Sequence, residues 1–220
     1  MQLPDKTVDR TLNCTEARFD DVLDYWFGDL QETGMPGESS PQLRRWNGKD
    51  PQVDSEIRRR FSQLHEKLAR DVEHGWVSHD LRRRLAAVIV LDQFPRNMYR
   101  GTARMYETDP LALGLSRASL GDRSVVDLDL FKVMFLFMPL MHSELPADQA
   151  AMIDRFFALQ AAAASRKLNS KPFFDMALQF ATRHFEIIDR FGRFPHRNDM
   201  LGRVTTPAEE AFLKEENGSF

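Results

Sequence analysis

Residues 171–191 read KPFFDMALQFATRHFEIIDRF and carry the clearest fold signal in the chain. Apolar side chains recur there at intervals of three and four residues, which is the spacing of one face of an α-helix. The predicted core stripe consists of Phe173, Met176, Ala177, Phe180, His184, Ile187, Ile188 and Phe191. Gly192 follows, and glycine commonly ends a helix in that position. The stretch therefore predicts one long amphipathic helix with a single apolar face.

The same helical spacing continues on both sides of this stretch. Helix starts are predicted at Thr15, Asp50–Pro51, Ser78, Asp109–Pro110, Asp127, Pro146 and Thr206–Pro207. Pro95 is predicted to end the helix that Ser78 caps, because a proline disfavours helical geometry in the residue before it. The helix over residues 127–138 is so densely apolar that it should be buried nearly all round.

These signals predict an all-α fold of about 8–10 helices, since no segment shows the period-two alternation of a strand. Short turns between long helices favour antiparallel hairpins stacked on one another. We expect a flexible extension over residues 1–14, one helical domain over 15–216 and a frayed tail over 217–220.

Composition excludes several classes of function. With 30 basic and 33 acidic side chains the net charge is −3, which opposes nucleic-acid binding. Cys14 is the single cysteine, so no internal disulfide is possible and a reducing compartment is indicated. The most apolar stretch, residues 128–141, is interrupted by Asp129, Lys132 and Pro139 and is too short to span a membrane. Without an apolar leader near residue 1, a cytoplasmic location is expected.

Two segments about a hundred residues apart resemble each other: FPRNMYRG at 94–101 and FPHRNDMLGR at 194–203. Each contains Phe-Pro, a basic residue, Asn, and then Gly and Arg. They can be read as helix terminators, with Pro ending a helix and Asn closing a turn. Arginines also gather at these two helix ends, at positions 96, 100, 190, 193, 197 and 203, and Arg is suited to carboxylate or phosphate. If both segments lie at one end of the helices, they could form a cationic wall.

Several polar residues stand in apolar surroundings. Asp92 and Gln93 close an otherwise apolar helix, His142 and Glu144 follow the most apolar one, and His184 lies on the apolar stripe of residues 171–191. Burying a carboxylate is costly unless it is paired. Asp92 is therefore expected to meet one of the arginines or histidines.

Four motifs together are family-specific: VLDYWFG at 22–28, LDQFPRN at 91–97, MPL at 138–140 with HSE at 142–144, and RFGRFPHRN at 190–198. In this order they resemble the bacterial family catalogued as domain of unknown function 924, over about residues 18 to 214. The resemblance implies an all-α fold similar to the right-handed superhelix of tetratricopeptide repeats. It offers no established catalytic residues, and it leaves the cofactor unknown.

Three functions remain open. The first is an enzyme or binding protein for a small anionic molecule, in which the acid/base candidates are Asp92, His142, Glu144, His184 and His196. Its substrate-binding candidates are Gln93, Arg96, Asn97, Tyr99, Arg100, Arg193, Arg197, Asn198 and Arg203. The second is a helical scaffold for a peptide or protein partner.

The third is a metal site made of His142, Glu144, His184 and His196, but these residues lack a compact ligand spacing, so we predict no metal. The enzyme hypothesis predicts that the polar residues and both Phe-Pro segments share one enclosed pocket. The scaffold hypothesis predicts dispersed helix caps and an open groove with exposed aromatic side chains.

Overall fold

The computed structural model describes residues 10–71 and 80–215. Ten α-helices make up most of these residues. They are α1 (Arg10–Phe27), α2 (Pro41–Asn47), α3 (Pro51–Asp71), α4 (Leu81–Val88), α5 (Phe94–Met98), α6 (Asp109–Ala118), α7 (Leu130–His142), α8 (Pro146–Ser165), α9 (Lys171–Phe191) and α10 (Pro207–Leu213). A π-helical turn, Ile89–Gln93, joins α4 to α5, and 3₁₀ turns occupy Ala103–Tyr106, Arg123–Asp127 and Pro195–Arg197. Those two ranges of the chain contain no β-strand, so the predicted all-α class is confirmed. Within them, no helix is long and apolar enough to cross a membrane.

The helix ends agree with the sequence signals at some positions and differ at others. The capping box is present at Thr206, whose side chain accepts a hydrogen bond from the Glu209 amide. Helix α1 already begins at Arg10, ahead of the predicted start at Thr15. The cap predicted at Ser78 and the tail over 217–220 lie outside the described residues. Helix α4 is capped instead by Asp80, whose carboxylate accepts from the amides of Arg82 and Arg83.

Helix α7 is the centre of the packing, as its composition predicts. It contacts α4, α6, α8 and α9, and nine of its thirteen residues are buried. Around it, aromatic side chains interlock: the ring of Trp26 lies 5.5 Å from those of both Phe94 and Phe135, and Phe61 stacks on Phe94 at 4.7 Å. Edge-to-face and offset ring pairs of this kind add to the burial of apolar area.

A smaller apolar cluster lies at the end of α9. It contains Ile187 and Ile188 from α9, Phe194 from the following segment and Phe212 from α10. Gly192 ends the helix in a left-handed conformation with φ of 68°, and its amide donates to the carbonyl of Ile188. The predicted terminator is thereby confirmed, and the turn brings the second Phe-Pro segment back against α9.

Two members of the predicted core stripe of α9 are not in the core. Met176 is 43% exposed and Phe180 is 51% exposed, whereas Phe173 and Ile188 are buried. The periodicity is correct, but the apolar face is wider than the surface that packs against α7 and α8. Met176 and Phe180 instead line an open cavity.

The prediction that Pro95 ends a helix is wrong. The chain changes to π-helical hydrogen bonding over Ile89–Gln93, where the amide of Phe94 donates to the carbonyl of Ile89, and then continues as α5. Pro95 stands in the first turn of α5, where its missing N–H coincides with the change of hydrogen-bond register. The first Phe-Pro segment is therefore helical, in contrast to the second.

Replacing Phe94 with alanine should lower the free energy of unfolding by about 3–5 kcal/mol, because the ring is fully buried among Tyr25, Trp26 and Phe61. Phe157, which is 61% exposed, is the matched control. Phe157→Ala should change the free energy by no more than about 0.5 kcal/mol in the same urea titration. Equal losses in the two variants would contradict this account of the core.

Candidate functional site

A cavity of about 580 Å³ opens between the end of α2, the first Phe-Pro segment, α7 and α9. Its volume lies in the range typical of small-molecule sites. The apolar residues that line it are Trp46, Met105, Met134, Phe135, Met138, Met141, Phe156, Phe173, Met176, Ala177 and Phe180. The remaining lining residues are Arg45, Asn47, Gly48, Lys49, Gln93, Arg96, Asn97, Arg100, His142 and His184.

A hydrogen-bonded pair formed by His142 and Asp92 lies at this cavity. Asp92 has no solvent exposure, and its Oδ1 accepts a hydrogen bond from Nδ1 of His142 at 2.7 Å. The same oxygen accepts from Nη2 of Arg96 at 3.1 Å, and Oδ2 accepts from Nε2 of Gln93 at 2.5 Å. Asp92 was predicted to pair with an arginine or a histidine, and it pairs with both Arg96 and His142.

The charge state of Asp92 follows from these partners. Burial by itself would raise the pKa of the carboxyl, but the positive charge of Arg96 and the hydrogen bonds donated by His142, Arg96 and Gln93 outweigh it. The pKa of Asp92 consequently lies well below its ordinary value, and the group is an anion at neutral pH.

His142 is held as a neutral imidazole. Burial lowers its pKa, and the nearby positive charge of Arg96 lowers it further, while Asp92 opposes both effects. Because a carboxylate can only accept, Nδ1 carries the proton that it donates to Asp92. The ring also lines the cavity, and Nε2, the nitrogen that does not bond Asp92, carries a lone pair.

The π-helical turn sets the position of Asp92 and Gln93. All five residues of Ile89–Gln93 are buried, and the turn contains one more residue than an α-helical turn would. Single π turns of this kind occur frequently at functional sites. Here the turn places two polar residues beneath the cavity, while their neighbours Ile89, Val90 and Leu91 remain in the core.

One arginine from each Phe-Pro segment lies at the carboxylate of Asp109. Nη2 of Arg96 lies 3.0 and 3.1 Å from the two carboxylate oxygens of Asp109, and Nη1 of Arg197 lies 3.7 Å from one of them. Both guanidinium groups also lie over the ring of Tyr106, at 5.6 Å for Arg96 and 4.7 Å for Arg197. Sequence reasoning missed Asp109 and Tyr106 as site residues, because an aspartate before a proline is also an ordinary helix-start signal.

The predicted cationic wall is not present. Arg96 is paired with Asp92 and Asp109, and Arg100 forms a two-pronged ion pair with Asp54 at 2.8 and 2.9 Å. Their charges are therefore largely compensated within the protein.

Arg193, just before the second segment, and Arg203, within it, are engaged away from the cavity. Arg193 donates two hydrogen bonds to the carboxylate of Glu209, of 2.6 and 2.8 Å, and Arg203 donates one to Glu144 at 2.8 Å. Glu144 also accepts from the amide of Phe194 at 2.9 Å, so it anchors the segment that follows α9.

Other predicted residues have structural contacts. Asn198 donates to Thr205 at 3.3 Å, the ring of His196 packs 5.6 Å from that of Phe194, and Tyr99 packs against His65 and Arg104. Asn97 lines the cavity but donates to Asp54 at 3.0 Å. Of the predicted set, the cavity lining therefore contains Gln93, Arg96, Asn97, Arg100, His142 and His184, with Asp92 directly behind them.

Two cations at the cavity were not predicted. Arg45 and Lys49 lie at the end of α2 and just after it, and neither forms an ion pair with a carboxylate in the part of the chain that the structure describes. Arg45 lies 4.2 Å from the centre of the Tyr25 ring and donates to the carbonyl of Tyr25. No motif or spacing distinguishes these two residues from other surface cations, so the sequence carries no signal for them.

His184 and His196 are neutral for the same main reason as His142, which is burial. Burial is the main cause that lowers the pKa of His184 to about 3 and that of His196 to about 4. Nδ1 of His184 lies 2.8 Å from the carbonyl oxygen of Phe180, one turn earlier in α9. Among residues 10–71 and 80–215, no three His, Cys, Asp or Glu side chains are grouped so that they could hold a metal ion.

The fold and the site together define an all-α protein with a hydrogen-bonded His–Asp pair beside a mostly apolar cavity. The chain belongs to the family of bacterial proteins of unknown function DUF924, whose family model matches residues 22–217. It is similar to a solved structure, that of the protein of unknown function ATU0120 from Agrobacterium tumefaciens, with 32% sequence identity and a TM-score of 0.72. That similarity covers 91% of this chain and 98% of the other. No curated protein matches the chain. The family resemblance is thus confirmed, while the tetratricopeptide-like array stays a prediction.

Stability should fall as the pH drops from 7.5 to 5.0. His184 and His196 remain neutral in the folded protein, with pKa values of about 3 and about 4, whereas in the unfolded chain they take up protons near pH 6.5. The unfolded state then binds more protons, and each such histidine costs at most about 1.4 kcal/mol per pH unit below 6.5.

Urea titrations at the two pH values of wild type and His184→Gln measure this contribution, and the variant should lose less stability on acidification. Gln179→Ala, an exposed change on the same helix, should keep the full pH dependence. If His184→Gln has the wild-type slope, the neutral state assigned to His184 is wrong.

Proposed function

We propose that this protein is a small-molecule enzyme in which Nε2 of His142 accepts a proton in the cavity. The single observation that carries the proposal is the 2.7 Å hydrogen bond between His142 and the fully buried Asp92. A carboxylate that fixes the tautomer and orientation of an imidazole is the arrangement by which enzymes prepare a general base. Buried, charge-coupled titratable groups beside a cavity also mark functional sites more often than other positions.

The proton transfer is favoured by the charges already in place. When Nε2 takes a proton, the imidazolium lies beside an ionised carboxylate, which stabilises it. Arg96 and Gln93 keep Asp92 ionised and in position through their own hydrogen bonds to it. The positioning residues therefore act on His142 through Asp92, and His142 is the group that meets the substrate or a water molecule.

The lining favours direct proton transfer over a covalent intermediate. Among the described residues that line the cavity there is no serine, threonine, tyrosine or cysteine. A hydroxyl or thiol nucleophile activated by a neighbouring base is the usual route to a covalent intermediate. His142 would instead remove a proton from the substrate itself or from a water molecule that attacks it.

The charges of the lining favour an anionic substrate. Four arginine or lysine side chains line the cavity, and the described lining contains no carboxylate. Arg45 and Lys49 supply the charge that the protein does not compensate, whereas Gln93, Arg96, Asn97 and Arg100 are engaged with carboxylates. We therefore assign substrate recognition first to Arg45 and Lys49.

A second candidate, a scaffold for a protein or peptide partner, is favoured by one observation. Phe157 on α8 and Phe180 on α9 are more than half exposed, and large exposed apolar side chains mark interaction sites. A photo-crosslinking amino acid at position 157 should then capture a partner in bacterial lysate. The same group at exposed position 154 of α8 should not, and equal capture at both positions would count against a scaffold.

The tautomer of His142 is a direct test of the proposed base. In protein labelled with ¹⁵N at histidine, Nδ1 of His142 should be protonated at pH 7 and Nε2 should not, because Nδ1 donates to Asp92. His142→Gln assigns the resonance, and His65→Gln serves as the control histidine. A proton on Nε2 at pH 7 would remove the proposed base.

Turnover should depend on His142 and not on a comparable buried histidine. A panel of chromogenic esters, amides and phosphate esters identifies a reaction, and His142→Gln should then lower its rate by about 10²–10⁴-fold, the usual contribution of a general base. His65 is more deeply buried than His142, and it forms a hydrogen bond with Thr108 at 3.2 Å and does not line the cavity. His65→Gln should leave the rate within about twofold. A reaction that His142→Gln leaves unchanged would contradict the proposal.

A further inference from the structure

We infer that the substrate is an amphipathic anion, with one anionic head group and an extended apolar body such as an alkyl chain or an aromatic ring system. This inference rests on the proposed function, since it concerns the molecule that the same cavity would present to His142. It is carried by the distribution of apolar and charged side chains around the cavity.

The walls are suited to an apolar body. Eleven of the twenty-one lining residues are apolar, and five of these are methionines. Methionine side chains are flexible and polarisable, so they adapt to apolar ligands of different shape. Met176 and Phe180 are the most informative members, because they line the cavity and yet are 43% and 51% exposed. An apolar group bound against them would remove that surface from water.

The head group is indicated by charges that the protein leaves uncompensated. Arg96 forms ion pairs with Asp92 and Asp109, and Arg100 forms one with Asp54. Arg45 and Lys49 form no ion pair with any carboxylate of the described residues, and both lie at the α2 end of the cavity. An anionic group would therefore be held at that end, with the apolar body directed along α7 and α9.

A highly polar metabolite is disfavoured by the same lining. The amide side chains of the lining are Asn47, Gln93 and Asn97, and two of them are already engaged, Gln93 with Asp92 and Asn97 with Asp54. A sugar or a polyol would leave many of its hydroxyl groups without partners against methionine and phenylalanine walls, which is costly. The cavity offers charge at one end and apolar surface elsewhere.

The test is isothermal titration of the full chain with unbranched alkanoates from butanoate to decanoate, each below its micelle concentration. The dissociation constant should tighten by about fourfold for each added CH₂ until the walls are covered. Decanol should bind less tightly than decanoate, and decyltrimethylammonium least tightly of the three. Affinity that does not change with chain length, equal affinity for the ammonium compound, or no binding at all would overturn the inference.

Matched variants locate the two parts of the ligand. Lys49→Gln and Arg45→Gln should each weaken decanoate by about two- to fivefold, as expected for partly exposed charges, and should leave decanol unchanged. Ala177→Phe fills the wall on α9 and should weaken decanoate by at least about tenfold, which corresponds to the loss of two or more buried CH₂ groups. Ala161→Phe, on the exposed face of α8, is the control and should bind as wild type does. Equal effects of the two phenylalanine variants would overturn the placement.

His142→Gln separates this inference from the proposed function. Alkanoate binding to the wild-type chain tests the inference about the substrate, whereas the turnover of this variant tests the proposed base. If alkanoates bind as described but turnover does not depend on His142, only the proposed function fails. If turnover depends on His142 while binding is indifferent to chain length, only the inference about the substrate fails.

Discussion

Asp92 is a carboxylate without contact to water, and the donors that it requires come from three places in the chain. Gln93 is its neighbour, Arg96 follows one turn later, and His142 comes from the end of α7. A buried carboxylate is tolerated only when it is paired and hydrogen-bonded, so these contacts constrain how the first Phe-Pro segment lies on α7. Arg96 in turn needs a second carboxylate, which Asp109 supplies from the start of α6. The position of the His–Asp pair is thus a consequence of satisfying one buried charge.

The two Phe-Pro segments are alike in sequence and different in backbone. The first continues a helix after a π turn, and the second follows a left-handed glycine and forms a 3₁₀ turn. What they share is an Arg-Asn pair whose arginine reaches Asp109 and Tyr106. The resemblance between them is therefore best explained by a common partner, because the backbone geometries do not match.

The sequence predicted the helices well where one periodic face packs against the core. The terminator Gly192, the capping box at Thr206 and the burial of α7 all follow from local rules. Pro95 was misjudged because the change to π-helical bonding depends on packing, and no local pattern shows it. The sequence also could not predict which arginines form ion pairs. Arg100 pairs with Asp54 and Arg96 with Asp109, and only the folded chain brings these residues together. His142 and Asp92 could be named as candidate site residues from the sequence, because each is a polar residue in apolar surroundings.

The width of the apolar stripe on α9 connects the fold to the candidate site. Phe173, Ala181 and Ile188 are buried in the core, and a face of such residues is enough to hold a helix in place. Met176 and Phe180 widen the stripe beyond that face and leave large side chains partly in water. Apolar area that stays exposed does not stabilise the folded chain, because only its removal from water is favourable. Both side chains line the cavity that His142 also lines, so a stripe wider than the core requires is itself a sequence signal for a cavity wall.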